Sequence, residues 1–207
     1  MIPRITLCRR CLNPPKTMKK SLDQLTSEVS ILLGESISSE CFPEESPFPD
    51  LAQRVRILAP SLLGSILKEA PVELCGILKS IPASGLDHSE TETTLKLPDD
   101  FLKIGAVKMS GWICEASEIS PLSSLAYACE SSGLEGVKAS RSKPAILLTY
   151  RADGSKALRL CPANKEDRLE YALYVAVPTI SDSGFLEIPD PLYDVLLKAL
   201  VDKMLNP

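Results

Sequence analysis

The sequence is poor in histidine and in aromatic side chains. Its 207 residues include one histidine, His88, and one tryptophan, Trp112, and aromatic residues make up 5% of the chain. A single imidazole excludes a metal centre built from several histidines of one chain, and it leaves only His88 for histidine general-base chemistry. The scarcity of aromatic rings disfavours a stacking platform for single-stranded nucleic acid.

Long apolar runs are also absent. The longest ones, at residues 145–148 and 172–177, have the length of a strand and fall short of the ~18–20 residues that cross a bilayer. The basic residues near the N-terminus are not followed by an apolar segment. We therefore expect no classical secretion signal and no membrane partner.

The glycine-rich loops of nucleotide-binding proteins are missing as well. Neither the P-loop pattern nor Gly-x-Gly-x-x-Gly after a strand occurs, and Gly133 and Gly136 lie beside Glu135, whose charge would repel a phosphate. No Gly-x-Ser-x-Gly elbow accompanies His88, which lies in a polar stretch that predicts a solvated loop.

Two pairs of adjacent carboxylates, Asp99-Asp100 and Glu44-Glu45, are the other candidates for acid–base chemistry. Neighbouring side chains on a strand point to opposite faces, so such pairs do not converge on one proton or metal ion. Phe101 and Trp112 flank a predicted strand and are interpreted as core residues. We expect no catalytic residue and no bound cofactor, and hence a protein that is not an enzyme.

Seven cysteines are scattered along the chain without the dense spacing of a disulfide framework, and their number is odd. This pattern fits a reducing compartment. Three of them lie among apolar neighbours and are predicted to pack as small hydrophobic side chains: Cys75, Cys114 and Cys161.

Cys8 and Cys11 have the C-x-x-C spacing with which two thiolates bind one zinc ion. A closed site needs four ligands, and the next candidates, Cys41 and His88, are far along the chain and not in a second paired motif. A redox pair would follow a strand and open a helix, whereas Asn13 and two prolines follow here. We interpret the pair as two incidental cysteines in a tail and predict no metal site.

Charge is distributed unevenly along the chain. Residues 1–20 carry six basic side chains and no acid, and the rest carries 17 basic and 27 acidic residues, a net charge of −10. An acidic body disfavours broad binding to a phosphate backbone, because the two repel each other. Residues 1–20 also contain a proline pair and no periodicity, so we predict a flexible basic leader. Met1 and Met18 both stay open as the start of translation.

The first half of the chain has helical periodicity. Ser21 and Gln24 have the spacing of a capping box ahead of a helix predicted over residues 22–33. A second helix is predicted from residue 51, with Pro60 expected to kink or break it. A short third helix is predicted over residues 72–79, followed by a break at residues 80–89.

The second half changes to the period of strands. Strands are predicted at residues 93–97, 104–109, 145–151, 156–161 and 169–177. Asp153-Gly154 predicts a tight hairpin turn between the third and fourth of these, because its backbone needs a positive φ. The stretch 117–140 is predicted to be mostly loop. Asp190 and Pro191 predict the cap and first residue of a C-terminal helix.

This order of elements predicts an α+β fold. We expect N-terminal helical hairpins, a small antiparallel sheet as an insertion, and a closing C-terminal helix. The predicted organisation is a leader at 1–20 and one domain over 21–207, which is helical at 21–80, β-rich at 91–180 and closed by a helix at 190–205.

One segment resembles a known family. Leu97-Pro98-Asp99-Asp100-Phe101-Leu102-Lys103-Ile104, running into Val107-Lys108-Met109-Ser110-Gly111-Trp112, is similar to the "strand, Leu-Pro-x-Asp-Phe, strand" segment of phage head-to-tail connector (adaptor) proteins. Three further segments match in order, over about residues 91–205: Leu158-Arg159-Leu160-Cys161-Pro162, residues 171–178, and Ile188-Pro189-Asp190.

The resemblance implies a non-enzymatic subunit of a ring, commonly of twelve copies, that joins the portal of a DNA-filled head to the tail. Its partners would be its own copies and portal or tail proteins, in the virion or the cytoplasm of a bacterial host, and DNA would only pass through the channel. The −10 body suits the acidic channels of such rings. The family's extended C-terminal arm has no counterpart after the helix here, so docking through such an arm is not expected. The alternative is a cytosolic α+β binding module for a small ligand or peptide.

Overall fold

The computed structural model describes residues 15–34, 51–76, 78–89, 92–121, 124–132, 134, 137–151 and 153–206. It contains both helices and sheets, which confirms the α+β class. Contacts divide the chain into two compact units, where the sequence predicted one domain. The sheet unit is Leu78–Ala176, and the helical unit comprises the described residues of Arg10–Ile77 and Val177–Pro207.

The four helices are α1 (Leu22–Leu32), α2 (Leu51–Glu69), α3 (Leu125–Ser131) and α4 (Tyr193–Leu205). The strands are β1 (Thr17–Ser21), β2 (Lys79–Ser80), β3 (Leu86–His88), β4 (Thr93–Lys96), β5 (Phe101–Met109), β6 (Ile119–Ser120), β7 (Ala145–Tyr150), β8 (Lys156–Cys161), β9 (Leu169–Ala176) and β10 (Phe185–Pro189). Short 3₁₀ helices lie at Val72–Leu74, Ala83–Gly85 and Asp190–Leu192.

In the helical unit, α1, α2 and α4 pack against one another. Each contributes one apolar stripe to the core, as amphipathic helices do. The fully buried members are Leu25, Val29, Val55, Ala59, Leu63, Leu196 and Leu200. Strand β1 pairs with β10 in an antiparallel ladder from Thr17↔Pro189 to Ser21↔Phe185.

The pairing of β1 corrects part of the predicted leader. Residues 17–20 are not flexible tail but a strand, because their backbone hydrogen-bonds to β10. Residues 1–14, with Cys8 and Cys11, lie outside the described residues.

The start of α1 is as predicted. The hydroxyl of Ser21 accepts a hydrogen bond from the Gln24 amide at 3.1 Å, and the Gln24 side chain accepts one from the Ser21 amide at 3.2 Å. This capping box satisfies two amide donors that the first helical turn leaves without partners. Gly34 follows the helix with a φ of +75°.

Pro60 was predicted to kink or break the second helix; the break is wrong, since α2 runs without interruption from Leu51 to Glu69. Proline removes one helical hydrogen bond. The helix persists because Val55, Ala59 and Leu63 are buried on either side of it, so that packing outweighs the lost bond.

Four other predicted segments differ from the structure. The third helix is only the 3₁₀ turn Val72–Leu74, and residues 80–89, predicted as a break, contain strand β3. The stretch 117–140, predicted to be mostly loop, also contains β6 and α3. At the C-terminus Asp190–Leu192 is a 3₁₀ turn, so the α-helix begins at Tyr193 and not at the predicted first residue, Pro191.

The sheet unit contains two sheets. One has the strand order β2-β9-β5 and the other β3-β4-β8-β7-β6, antiparallel except for the short β6–β7 pair. The predicted hairpin is present: β7 pairs with β8 from Ala145↔Cys161 to Tyr150↔Lys156, and Gly154 in its turn has a φ of +79°. A shared core of buried side chains includes Leu95, Val107, Met109, Trp112, Ile146, Leu158 and Ala172.

No helix in the described part of the chain is long and apolar enough to span a membrane.

Replacing Ser21 by alanine tests the cap of α1. We expect Ser21→Ala to lower the free energy of unfolding by about 1 kcal/mol, because one amide of the first turn loses its acceptor. Urea unfolding followed by circular dichroism measures the change. The control is Ser65→Ala, whose hydroxyl donates only to the Ser61 carbonyl of its own helix, with an expected change within about 0.5 kcal/mol. Equal effects of the two variants would contradict the role of the cap.

Candidate functional site

The segment at residues 97–112 is the candidate site, because it carries the resemblance. It forms a turn at Asp99-Asp100, strand β5, and a second turn at Gly111. Strand β5 pairs with β9 from Phe101↔Ala176 to Met109↔Leu169. Its neighbours in the core cover both of its faces, and residues Ile104–Val107 are buried without alternation.

Asp100 connects the first turn to two other strands. Its Oδ1 accepts a hydrogen bond from the Tyr174 hydroxyl of β9 at 2.8 Å, and its Oδ2 accepts one from Lys79 Nζ of β2 at 2.6 Å. The ring of Phe101 stacks on Tyr174 with 5.9 Å between centroids. These contacts attach the turn to the three-stranded sheet, whose edge strand β5 begins directly after the turn.

The electrostatics of this cluster keep Asp100 ionised. The hydrogen bond from Lys79 lowers the pKa of Asp100 from its ordinary value. Burial, followed by the hydrogen bond to Asp100, raises the pKa of Tyr174 to about 12. Asp100 is therefore a charged acceptor and Tyr174 a neutral donor over the whole physiological range. Of the adjacent pair Asp99-Asp100, Asp100 is the residue that joins this cluster.

The second turn is fastened in a similar way. The indole N–H of Trp112 donates to the carbonyl of Pro162, and Lys108 Nζ donates to the carbonyls of Trp112 and Ile113. Trp112 is 3% exposed, which confirms its predicted place in the core. Gly111 lies against the Asp167 carboxylate, whose Oδ2 accepts a hydrogen bond from the Asn164 amide at 2.8 Å.

His88 is not in a solvated loop, as the sequence predicted, but in strand β3. Its Nδ1 lies 2.9 Å from the hydroxyl of Thr93, a buried residue of the neighbouring strand. It lines an open cleft of about 530 Å³ together with Ala83, Leu86, Lys165, Glu166, Asp167, Arg168 and Leu169. The cleft presents charges of both signs beside the imidazole, so its lining does not favour one class of ligand or reaction.

A second cleft, of about 410 Å³, surrounds Arg151 and was not found from the sequence. Arg151 Nη2 lies 3.6 Å from Asp87 and 3.5 Å from the Gly85 carbonyl, and its buried Nε has no hydrogen-bond partner among the described residues. On the adjoining strand Arg159 lies 3.4 Å from Glu92. Arg151 follows β7 and reaches Asp87 of β3, and Arg159 of β8 reaches Glu92, which directly precedes β4. Both cations therefore lie beside acidic groups of the same five-stranded sheet region.

The described cysteines do not form a reactive centre. Cys75 and Cys161 are buried, as predicted, and burial raises the pKa of the Cys161 thiol to about 12, so it is not a thiolate at neutral pH. Cys114 is exposed, which corrects its prediction as a packed side chain, while Cys129 is half-buried. Among residues that the structure describes, no three histidine, cysteine or acidic side chains could hold a metal ion together. Glu44-Glu45 and Cys41 lie outside that part.

The polar groups of the candidate segment thus serve to join strands and turns of the sheet unit. Sequence reasoning named Asp100 and Trp112 but missed their partners Lys79, Tyr174 and Pro162, which are distant along the chain. Comparison of the sequence with protein-family models and with curated proteins gives no match.

Removing the Tyr174 hydroxyl tests the tether at Asp100. Tyr174→Phe keeps the stacked ring, and we expect the free energy of unfolding near neutral pH to fall by about 1–2 kcal/mol through loss of a hydrogen bond to a charged acceptor. The wild type loses stability as the pH rises from about 10 to about 12, because the unfolded tyrosine loses its proton first. The variant should lose less over this range in urea titrations. Tyr150→Phe, at an exposed residue, is the control, and an alkaline loss equal to that of the wild type in Tyr174→Phe would contradict the tether.

A methyl group at Gly111 tests the second turn. The added Cβ would lie 2.8 Å from Asp167 Cγ, so we expect Gly111→Ala to lower the free energy of unfolding by about 1–3 kcal/mol through overpacking. Gly85→Ala is the matched control, because its Cβ would meet its neighbours at ordinary distances of 3.5 Å or more. In the background of Asp167→Ala the cost of Gly111→Ala should shrink. A cost that is unchanged there, measured by urea unfolding, would show that Asp167 is not the obstacle.

Proposed function

We propose that the chain is a non-enzymatic structural subunit of a phage or prophage head–tail connector ring. In this proposal it joins the portal to the tail around the DNA channel. Its partners are further copies of itself and portal or tail proteins, and it occurs in the virion or in the cytoplasm of a bacterial host. DNA passes the ring without sequence-specific contact.

The observation that carries the proposal is the agreement between the resembling segments and the elements they form. The Leu97–Trp112 region forms a turn and strand β5, and residues 158–162 cover the end of strand β8. Residues 171–178 lie mostly in β9, and Ile188-Pro189-Asp190 leads from β10 into the C-terminal helix. The order of these elements supports the proposal.

The use of the polar groups of the segment supports the same proposal. Asp100 and Trp112 direct their hydrogen bonds to Tyr174, Lys79 and Pro162 inside the sheet unit. A subunit that transmits force between head and tail needs a firmly cross-connected sheet more than it needs reactive groups. The acidic residues 21–207 would suit a channel wall that repels the phosphates of passing DNA.

The proposal also gives the two halves of the fold a meaning. The sheet unit would be the β-rich insertion between N-terminal helical hairpins and the closing helix α4. The helical unit would then form the body of each subunit in the ring. Portal docking would use surfaces of these units.

An α+β binding module is the alternative, and the cleft beside His88 is the observation that favours it. A cleft of about 530 Å³ is large enough for a small ligand, which most often binds in such concave sites. A small-molecule thermal-shift screen with His88→Ala as the control would reveal such a ligand. Terminase, portal and capsid genes beside the gene for this chain would favour the connector, and metabolic neighbours would favour the module.

Mass measurement in solution tests the connector. We expect copies of the full chain to associate into a closed ring, alone or when mixed with a portal protein from the same genome, because head-to-tail interfaces close by rotation. Native mass spectrometry and sedimentation give the copy number. A chain that stays monomeric and binds no portal protein under all these conditions would contradict the proposal.

A further inference from the structure

A basic and apolar surface surrounds the tight turn at residues 140–143, and we call it the turn surface. Ser140 and Lys143 close the turn with two backbone hydrogen bonds of 3.1 and 3.0 Å. The amide of Ile113 donates to the Arg141 carbonyl at 2.7 Å, which places Ile113 beside the turn. The turn surface comprises Ile113, Val137, Lys138, Arg141 and Lys143.

The side chains of the turn surface are directed to solvent. Ile113 is 73% exposed and Val137 49% exposed, and all three cations are exposed without a salt bridge to the described residues. Exposed apolar side chains and arginine are enriched at surfaces that bind a partner. The backbone of the turn is fixed by its hydrogen bonds, so little ordering would be needed on binding.

An acidic and apolar surface lies on the outer face of α4, and we call it the helix surface. Val195 is 48% exposed and Leu205 64% exposed, whereas Leu196 and Leu200 on the opposite face are buried. The exposed charged residues of α4 are Asp194, Lys198, Asp202 and Lys203. By helical spacing Asp194, Lys198 and Asp202 share the face of Val195 and Leu205, so two acids and one base give the helix surface a net negative charge, opposite in sign to that of the turn surface.

We infer that the turn surface of one copy docks on the helix surface of the next copy. Both surfaces are solvent-exposed within the single chain, both present two large apolar side chains, and their charges are complementary. Complementary charge steers two patches together and fixes their register, while the apolar side chains gain from burial. The inference rests on the proposed function, and it names the interface through which the ring would close.

A second copy is the occupant that both surfaces point to. A head-to-tail contact uses each surface once per copy, so a closed ring leaves neither surface without a partner. A stable interface buries about 800 Å² on each partner, more than the named side chains alone provide. Leu134, which is 69% exposed and whose carbonyl accepts a hydrogen bond from the Val137 amide, would extend the turn surface.

Charge reversal of each surface tests the pairing. One variant is Lys138→Glu with Arg141→Glu, and the other is Asp194→Lys with Asp202→Lys. We expect each variant alone to associate at least about tenfold more weakly than the wild type, because like charges then meet at the interface. An equimolar mixture of the two variants should regain association, since reversed surfaces then face reversed surfaces. Sedimentation of the full chain over a concentration series, with and without a portal protein, measures this.

Controls separate the interface from the fold. Lys165→Glu with Arg168→Glu reverses two exposed cations of the sheet unit outside the turn surface and should leave association unchanged. Circular dichroism and thermal unfolding establish that each variant is folded. If a reversed variant does not fold, Ile113→Ser and Val195→Ser test the same two surfaces through their apolar side chains, with the same expected weakening.

The outcomes distinguish the inference from the proposed function. A wild type that associates while the reversed variants associate equally well, or a mixture that does not regain association, would overturn the inference and leave the connector proposal standing. A chain that binds a portal protein but never a second copy would overturn the inference and also the ring of the proposed function. A chain that binds neither would overturn both.

Discussion

The antiparallel pairing of β5 with β9 is the interaction on which the sheet unit depends. The ladder runs from Phe101↔Ala176 to Met109↔Leu169 and is fastened at both ends. At one end Tyr174 donates to Asp100. Beyond the other end, Ser110 and Arg168 exchange two hydrogen bonds of 2.8 and 2.9 Å. Pairing of segments that are distant in the chain costs loop-closure entropy, and these hydrogen bonds help to offset that cost.

A comparable clamp organises the helical unit. Lys20 of β1 donates to Glu28 of α1 at 2.8 Å and lies 4.7 Å above the ring of Tyr193, whose hydroxyl also donates to Glu28. The hydrogen bond from Lys20 lowers the pKa of Glu28, which keeps the carboxylate charged between its two donors. One carboxylate thereby connects the first strand and first helix to the beginning of α4.

The two proposals assign different roles to the inward-pointing and the exposed side chains of the sheet unit. Hydrogen-bonding groups of the resembling segment point inward and stabilise the sheet unit, whereas exposed cations and exposed apolar side chains lie around the turn at residues 140–143. A part that assembles needs a stable interior and a surface with complementary charge, and both are properties of these residues. The residues through which a ring subunit functions would then be the exposed ones that bind its partners.

Local signals in the sequence determined the elements whose hydrogen bonds join residues close together in the chain. The capping box at Ser21, the β7–β8 hairpin with Gly154, and the amphipathic stripe of α4 all follow from spacing and from backbone preference. Tertiary structure decided the rest. Helix α2 continues through Pro60 because packing outweighs one missing bond. Strand β5 is buried continuously over Ile104–Val107, without the alternation of a half-exposed strand, and it pairs with β9 through three register shifts. The partners of Asp100 and Trp112, and the meeting of Ile113 with the 140–143 turn, join residues far apart along the chain, and such pairs follow from strand pairing that no local pattern encodes.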